Sequence, residues 1–150
     1  MSKFLPIFFL FLVFLQIIIG AFVSGLDAGT IYNTWPLMGS SYFPDDNSIL
    51  NLFSASIFND PALAQFIHRN LAYFIFCFYL LIATIVYKNK LSTFIGIINI
   101  IALILIVQII LGILTVISDV QIILASMHQI GSILLITTSL ILVFKNSKIN

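Results

Sequence analysis

Residues 91–144 read LSTFIGIINIIALILIVQIILGILTVISDVQIILASMHQIGSILLITTSLILVF, and Asp119 is the only charged residue in the stretch. About 20 apolar residues cross about 30 Å of hydrocarbon. The runs 91–117 and 120–144 both exceed that length, and Ser118-Asp119 between them leaves room only for a tight antiparallel turn. Two more runs of the same character come earlier, at 4–23 and 62–87. The expected fold is all-α, a polytopic membrane four-helix bundle forming one transmembrane domain over 1–150. Composition agrees: the chain is 61% hydrophobic and 7% charged, where a soluble domain has roughly 45–50% and 25%. No separate soluble domain fits such a composition. With a net charge of +1, nucleic acid is not an expected partner, and the lipid bilayer is.

Charge sets the expected orientation. Lys3, Lys88, Lys90, Lys145 and Lys148 all fall at one end of the four runs, and Asp27, Asp45, Asp46, Asp60 and Asp119 at the other. The positive-inside rule makes the lysine end cytoplasmic. Both termini are then expected inside, and the long loop 24–60 on the outer, periplasmic side of the cell inner (plasma) membrane. Lys3 before an apolar run also resembles a signal peptide. The run is longer than the usual ~7–15 residues of such a segment, however, and SGLDAG is a poor cleavage site, so a retained helix is expected. The loop carries Trp35, Tyr32 and Tyr42 among Gly and Pro residues. It reads equally well as an interfacial aromatic cap and as a lid over a pocket. Asp60-Pro61 is a helix start, with Asp as cap and Pro at the first helical position. Cys77 is the only cysteine and is expected to pack rather than ligate.

The chain has two histidines, His68 and His128. Each lies about eight residues inside the loop end of its run, roughly 12 Å deep at 1.5 Å per residue. Imidazole inside hydrocarbon is costly and marks function by default. Two at matched depth, on helices running the same way, suggest one shared axial partner, and a haem iron takes one imidazole on each face. Zinc fits less well, since it needs three or four protein ligands. Arg69 follows His68 and is read either as snorkelling to the interface or as pairing with a haem propionate. Gln16, Gln108 and Gln129 are buried polar groups whose roles stay open, between helix contacts and pocket lining. Gly96, Gly112, Ala125, Gly131 and Ser132 allow close packing or room for a flat ligand.

Four segments carry a resemblance: GAFVSGLDAGTIYNTWPLMGSSYFP (20–44), NDPALAQFIHRNLAYFIF (59–76), QIILGILTVIS (108–118) and ILASMHQIGSILLIT (123–137). In this order they resemble haem A synthase of the alphaproteobacterial and mitochondrial type, over about Gln16 to Thr138. That family oxidises a ring methyl of haem O to the formyl of haem A, for cytochrome oxidase. Its chains comprise two similar four-helix halves, and this sequence resembles the C-terminal half alone. The resemblance implies a haem b held by His68 and His128 as axial iron ligands, with electrons passing between it and the substrate haem. A Glu of the other half is implicated in the oxidation, and this chain has no Glu. The expectation is thus half of an oxidoreductase, with cofactor binding assigned to this chain and no catalytic residue in it. A separate N-terminal-half chain is the expected partner. Met1-Ser2-Lys3 reads as a start and favours a split gene over a truncated remnant. A homo-oligomer would lack any substitute for the Glu. The rival readings are a b-type cytochrome anchor or electron-transfer subunit with the same histidine pair, and a structural membrane protein with no cofactor.

Overall fold

A computed structural model describes residues 1–149, apart from the side chains of residues 56 and 57. It is all-helical: α1 (Phe4–Gly25), α2 (Pro61–Lys88), α3 (Ser92–Ile117) and α4 (Ile122–Ile149), with three short 3₁₀ turns in the loop between α1 and α2. All four helices are long and apolar enough to cross a membrane. Each hides only about a fifth or less of its most apolar stretch inside the protein, 17–22%. The rest is turned outward, as with Phe11, Phe14, Leu103, Ile110 and Ile133. Apolar residues on the outside suit lipid, where no hydrophobic penalty attaches to exposure.

The ends of the helices follow local chemistry. Asp60 is extended at φ −101° and accepts from the Leu63 N–H at 3.0 Å, with Pro61 next to it at the first helical position. This cap sets where α2 begins. α2 and α3 both end in the same motif. Lys90 N bonds Tyr87 O and Leu91 N bonds Val86 O; Asp119 N bonds Val116 O and Val120 N bonds Thr115 O. This paired closure uses a left-handed residue after the cap, here Lys90 at φ 51° and Asp119 at φ 57°. Val120 is left-handed as well, which is uncommon for a β-branched side chain. α4 begins two residues beyond the start of its apolar run and continues past Phe144 to Ile149. Hydropathy marks the part of a helix in lipid, whereas the hydrogen-bond ladder carries on through Lys145 and Lys148.

α1 packs on α2 and α4, and α3 on α2 and α4. The helices therefore form a closed ring in which α2 and α4 are diagonally opposite. Both chain ends lie at one end of the bundle, where the Asn146 amide reaches Ser2 O at 3.4 Å. Along its axis the bundle has two zones. The half near the termini holds the apolar core, including Phe9, Leu12, Ile75, Ile82, Phe94, Ile98, Ile101 and Leu142. The half near the loop holds polar and small residues in its interior.

The loop folds down on the outer end of α2. Ala28, Met38 and Pro44 are buried. Gly39 at φ 75° makes the reversal that returns Met38 N to Ser41 O at 2.8 Å. Phe66 receives the edges of Tyr42 and Phe43. Tyr42 donates to Asn70 at 2.6 Å, Trp35 to Tyr73 at 3.1 Å, and Asn33 to Asp119 at 2.8 Å. The loop is thus a fixed cap.

Two titratable groups brace the cap. Ser41 and Ser40 donate to Asp45 and hold its carboxyl below the usual carboxylate range. Burial, then the hydrogen bond and charge of Asp46 and the charge of Asp45, push the Tyr32 phenol up. A lowered Asp favours the fold above its unfolded pKa of about 3.9, and that contribution fades as pH falls through the lower folded value. A raised Tyr favours the fold below about 10, and its contribution fades as pH rises through the higher folded value. Trp35 is the only tryptophan, so its emission reports the cap. Emission is expected to be constant from about pH 5 to 9 and to red-shift outside that window. A transition near pH 6–7 would contradict this account.

Candidate functional site

The polar layer is built by four helices at one depth. His68 lies seven residues into α2 from Pro61, and His128 six into α4 from Ile122. At 1.5 Å per residue both are about 10 Å below the loop end. α2 and α4 run the same way from opposite corners, so the two imidazoles meet across the bundle. Their ring centroids are 6.4 Å apart with the planes at 76°. α1 and α3 supply the gaps that admit them. A Cβ on Gly20 would stand 3.1 Å from His68 Cε1, and one on Gly112 would stand 3.2 Å from His128 Cε1. Each glycine lies five residues from the outer end of its helix, Gly25 and Ile117 respectively.

Glutamines lie one turn inward. Gln16 Nε2 donates to His68 O at 3.0 Å and is 3.2 Å from His68 Nε2. Gln108 is buried, with its amide nitrogen against Gly131, where any Cβ would collide with it. On the outer side, buried Gln65 donates to Tyr32 O at 3.1 Å. Arg69 donates through Nη1 to Thr34 O and Leu37 O, at 3.0 and 3.3 Å, and through Nη2 to Tyr32 O at 3.1 Å. Its first task is therefore to clamp the loop. Gln129 is exposed, away from this layer.

Hydrogen-bond satisfaction fails in this layer. Among the described residues, the buried side-chain polar atoms without a partner are Gln16 Oε1, Gln65 Oε1, His68 Nδ1, Arg69 Nε, Gln108 Nε2 and His128 Nδ1. All belong to the outer half of the bundle. An unsatisfied buried group costs about 1–3 kcal/mol, and such orphans in a native interior point to a ligand, ion or water. No set of three or more His, Cys, Asp or Glu side chains comes together among the described residues, so the imidazoles stand as a pair. The ring centroids are close enough, at 6.4 Å, that both imidazoles could ligate one metal-centred cofactor, and each has an unpartnered buried nitrogen.

Sequence reading missed three parts of this layer: Gly20 as an imidazole notch, Gln65 as an anchor, and the contact between Gln16 and His68. One signal was available for two of them. QIIIG (16–20) and QIILG (108–112) repeat the same pattern on α1 and α3, and the i, i+4 spacing sets glutamine and glycine on one helix face.

Comparison with known proteins gives the layer its context. The family model described as "Cytochrome oxidase assembly protein", COX15-CtaA, matches residues 2–140. The chain is 45% identical over 141 residues to "Heme A synthase" of Pelagibacter ubique, covering 94% of this chain and 41% of that protein. It is 36% identical over 137 residues to "Heme A synthase" of Rickettsia prowazekii, covering 90% and 41%. For the Wolbachia pipientis protein of the same name, identity is 42% over 131 residues, covering 87% and 36%. The chain thus spans about two fifths of the length of these relatives. No solved structure matches it. With nearly the whole chain matched and four helices able to span a bilayer, the protein is a multi-pass membrane protein that belongs to the COX15-CtaA family of cytochrome oxidase assembly proteins.

Proposed function

We propose that this chain forms a haem-binding four-helix unit of a haem A synthase, corresponding to the C-terminal half of its longer relatives. His68 and His128 are the axial ligands of a b-type haem. Arg69 ties down the cap and offers Nε, a buried donor without a partner, to a propionate at the haem's rim. The activity served is oxidation of a haem O ring methyl to the formyl of haem A. The oxidising site itself belongs to the part of the family architecture outside these 150 residues. When bound, the haem supplies one-electron chemistry, and the chain supplies ligation, orientation and burial. The termini face the cytoplasm and the cap faces the periplasm, a reading supported by the five lysines gathered at the terminal end of the bundle.

The observation that carries this reading is the imidazole pair, 6.4 Å apart from diagonal helices, each set against a glycine. A structural membrane protein has no need of two glycine notches aligned on two imidazoles. The test is an optical spectrum of the purified chain, oxidised and dithionite-reduced, beside His68→Ala and His128→Ala. Wild type is expected to show a sharp low-spin b-type spectrum at one haem per chain. Either substitution is expected to abolish that low-spin form. A folded wild-type chain that takes up no added haem would sink the proposal.

A further inference from the structure

Gln16 meets His68 at two points. The atom 3.0 Å from His68 O is the carboxamide nitrogen, because a carbonyl oxygen can only accept. The same nitrogen is 3.2 Å from His68 Nε2. A carboxamide nitrogen carries two N–H bonds and acts as a donor only. A proton on His68 Nε2 would set donor against donor at that distance. Nε2 therefore carries the lone pair, and the ring proton is on Nδ1, the nitrogen that has no partner. His68 lies inside α2, where its carbonyl already takes the helical N–H from four residues on. That oxygen did not need Gln16 for satisfaction, and the second bond instead locks the amide beside the ring. Gly20, one turn along the same face of α1, bounds the ring at Cε1, the carbon between the two nitrogens.

We propose that Gln16 is the positioning residue of His68. Its amide fixes the ring's orientation and keeps the proton on Nδ1, so that the Nε2 lone pair is the one presented to a metal. A ring's tautomer is set by the bonds its nitrogens make, and Gln16 sets this one before any iron arrives. A bound iron would take the lone pair in place of one amide N–H, and the bond to His68 O would continue to hold the side chain. The clause about iron rests on the haem reading above, and the tautomer does not. The second hairpin supplies the contrast. QIILG repeats the pattern and Gly112 bounds His128 in the same way, but the Gln108 amide lies against Gly131 with Nε2 unpartnered. The two imidazoles are thus held differently: Gln16 meets His68 through its side chain, whereas Gln108 meets His128 through its main chain, so the His128 signals serve as an internal control.

The test uses the full chain, labelled with [15N]histidine, in nanodiscs without haem at about pH 8, where free imidazole is neutral. With two histidines in the sequence, the ring-nitrogen spectrum is simple, and His128→Ala assigns it. His68 is expected to show a protonated Nδ1 and an unprotonated Nε2. Gln16→Met keeps length and volume but removes both N–H groups. It is expected to release His68 to a mixture including the Nε2–H form, with the His128 signals unmoved. A wild-type His68 protonated on Nε2 overturns the proposal, and so does an unchanged tautomer in folded Gln16→Met. The first outcome needs no variant, so a variant that fails to fold leaves the question decidable. After haem addition, Gln16→Met is expected to bind one haem but to spread its low-spin EPR signal over several ring orientations. A wild type that takes no haem removes the clause about iron and leaves the tautomer result intact.

Discussion

Replacing Arg69 with Leu is expected to detach segment 32–38 from α2. The guanidinium makes three bonds to main-chain carbonyls, those of Tyr32, Thr34 and Leu37. The other contacts that hold these residues to the helices are Trp35 to Tyr73, Gln65 to Tyr32, Asn33 to Asp119 on the turn between α3 and α4, and the buried Met38 side chain. Hydrogen bonds from a charged donor contribute about 1.5–3 kcal/mol each in buried sites. Arg69 is only half-buried, so a total of about 2–3 kcal/mol is the reasonable scale for all three after solvent screening. At about 1.4 kcal/mol per factor of ten, the open loop should become roughly 30- to 140-fold more populated. Limited proteolysis within 32–47 and Trp35 emission would both register it. Arg69→Lys should recover only part of the loss, because an ammonium cannot fork to three carbonyls in different directions. A Leu variant whose loop is cut no faster than wild type would remove the clamp from this account.

Filling the glycine notches should have the second large effect. Ordinary van der Waals contact between carbons begins near 3.5 Å, and Cβ atoms at Gly20 and Gly112 would stand 3.1 and 3.2 Å from the imidazoles. Ala asks the rings to yield by a few tenths of an ångström. Val adds methyl groups that reach further and must push the ring off its rotamer. Overpacking of this kind costs about 1–3 kcal/mol, and here the strain falls on the ligating groups themselves. Gly20→Val and Gly112→Val are each expected to weaken haem uptake by tenfold or more and to raise the high-spin fraction. Gly96→Ala is the control, since nothing lies within 4 Å of its added carbon. A Gly112→Val protein with wild-type affinity and spectrum would mean that the imidazoles do not sit where the haem needs them.

These two sites show where sequence legibility ends. The four helices could be read from apolar runs because lipid demands length and apolarity of each span separately. The start of α2 was equally open, because Asp60-Pro61 encodes a cap within two residues. The meeting of His68 with His128 across the bundle followed from depth and direction, which simple counting supplies. The Arg69 clamp could not be read that way. Its partners are backbone carbonyls more than thirty positions away, and a carbonyl carries no residue type. Nor could sequence separate Gln16, which faces His68, from Gln129, which faces outward. Both sit in apolar helices with weak amphipathic contrast, so the pattern gives no face. The contacts of Met38 and Phe66 that pack the loop onto α2 could not be read either, since they are a property of packing alone.

The Asn33–Asp119 bond and the contact of Gly29 with Val120 join the cap to the turn between α3 and α4, while Arg69 and Asn70 join it to α2. The two hairpins are therefore pinned to each other above the bilayer. Within the hydrocarbon no hydrophobic driving force holds Leu and Ile faces together, so packing and interhelical hydrogen bonds must do so. Vertical registry between the hairpins is thus held at three heights: by the polar truss of the cap at the water's edge, by Tyr79 donating to Ile98 O at 3.1 Å inside the bundle, and by Asn146 reaching Ser2 O at 3.4 Å at the far end. The relative height of the two imidazoles is therefore fixed from both sides of the layer that holds them.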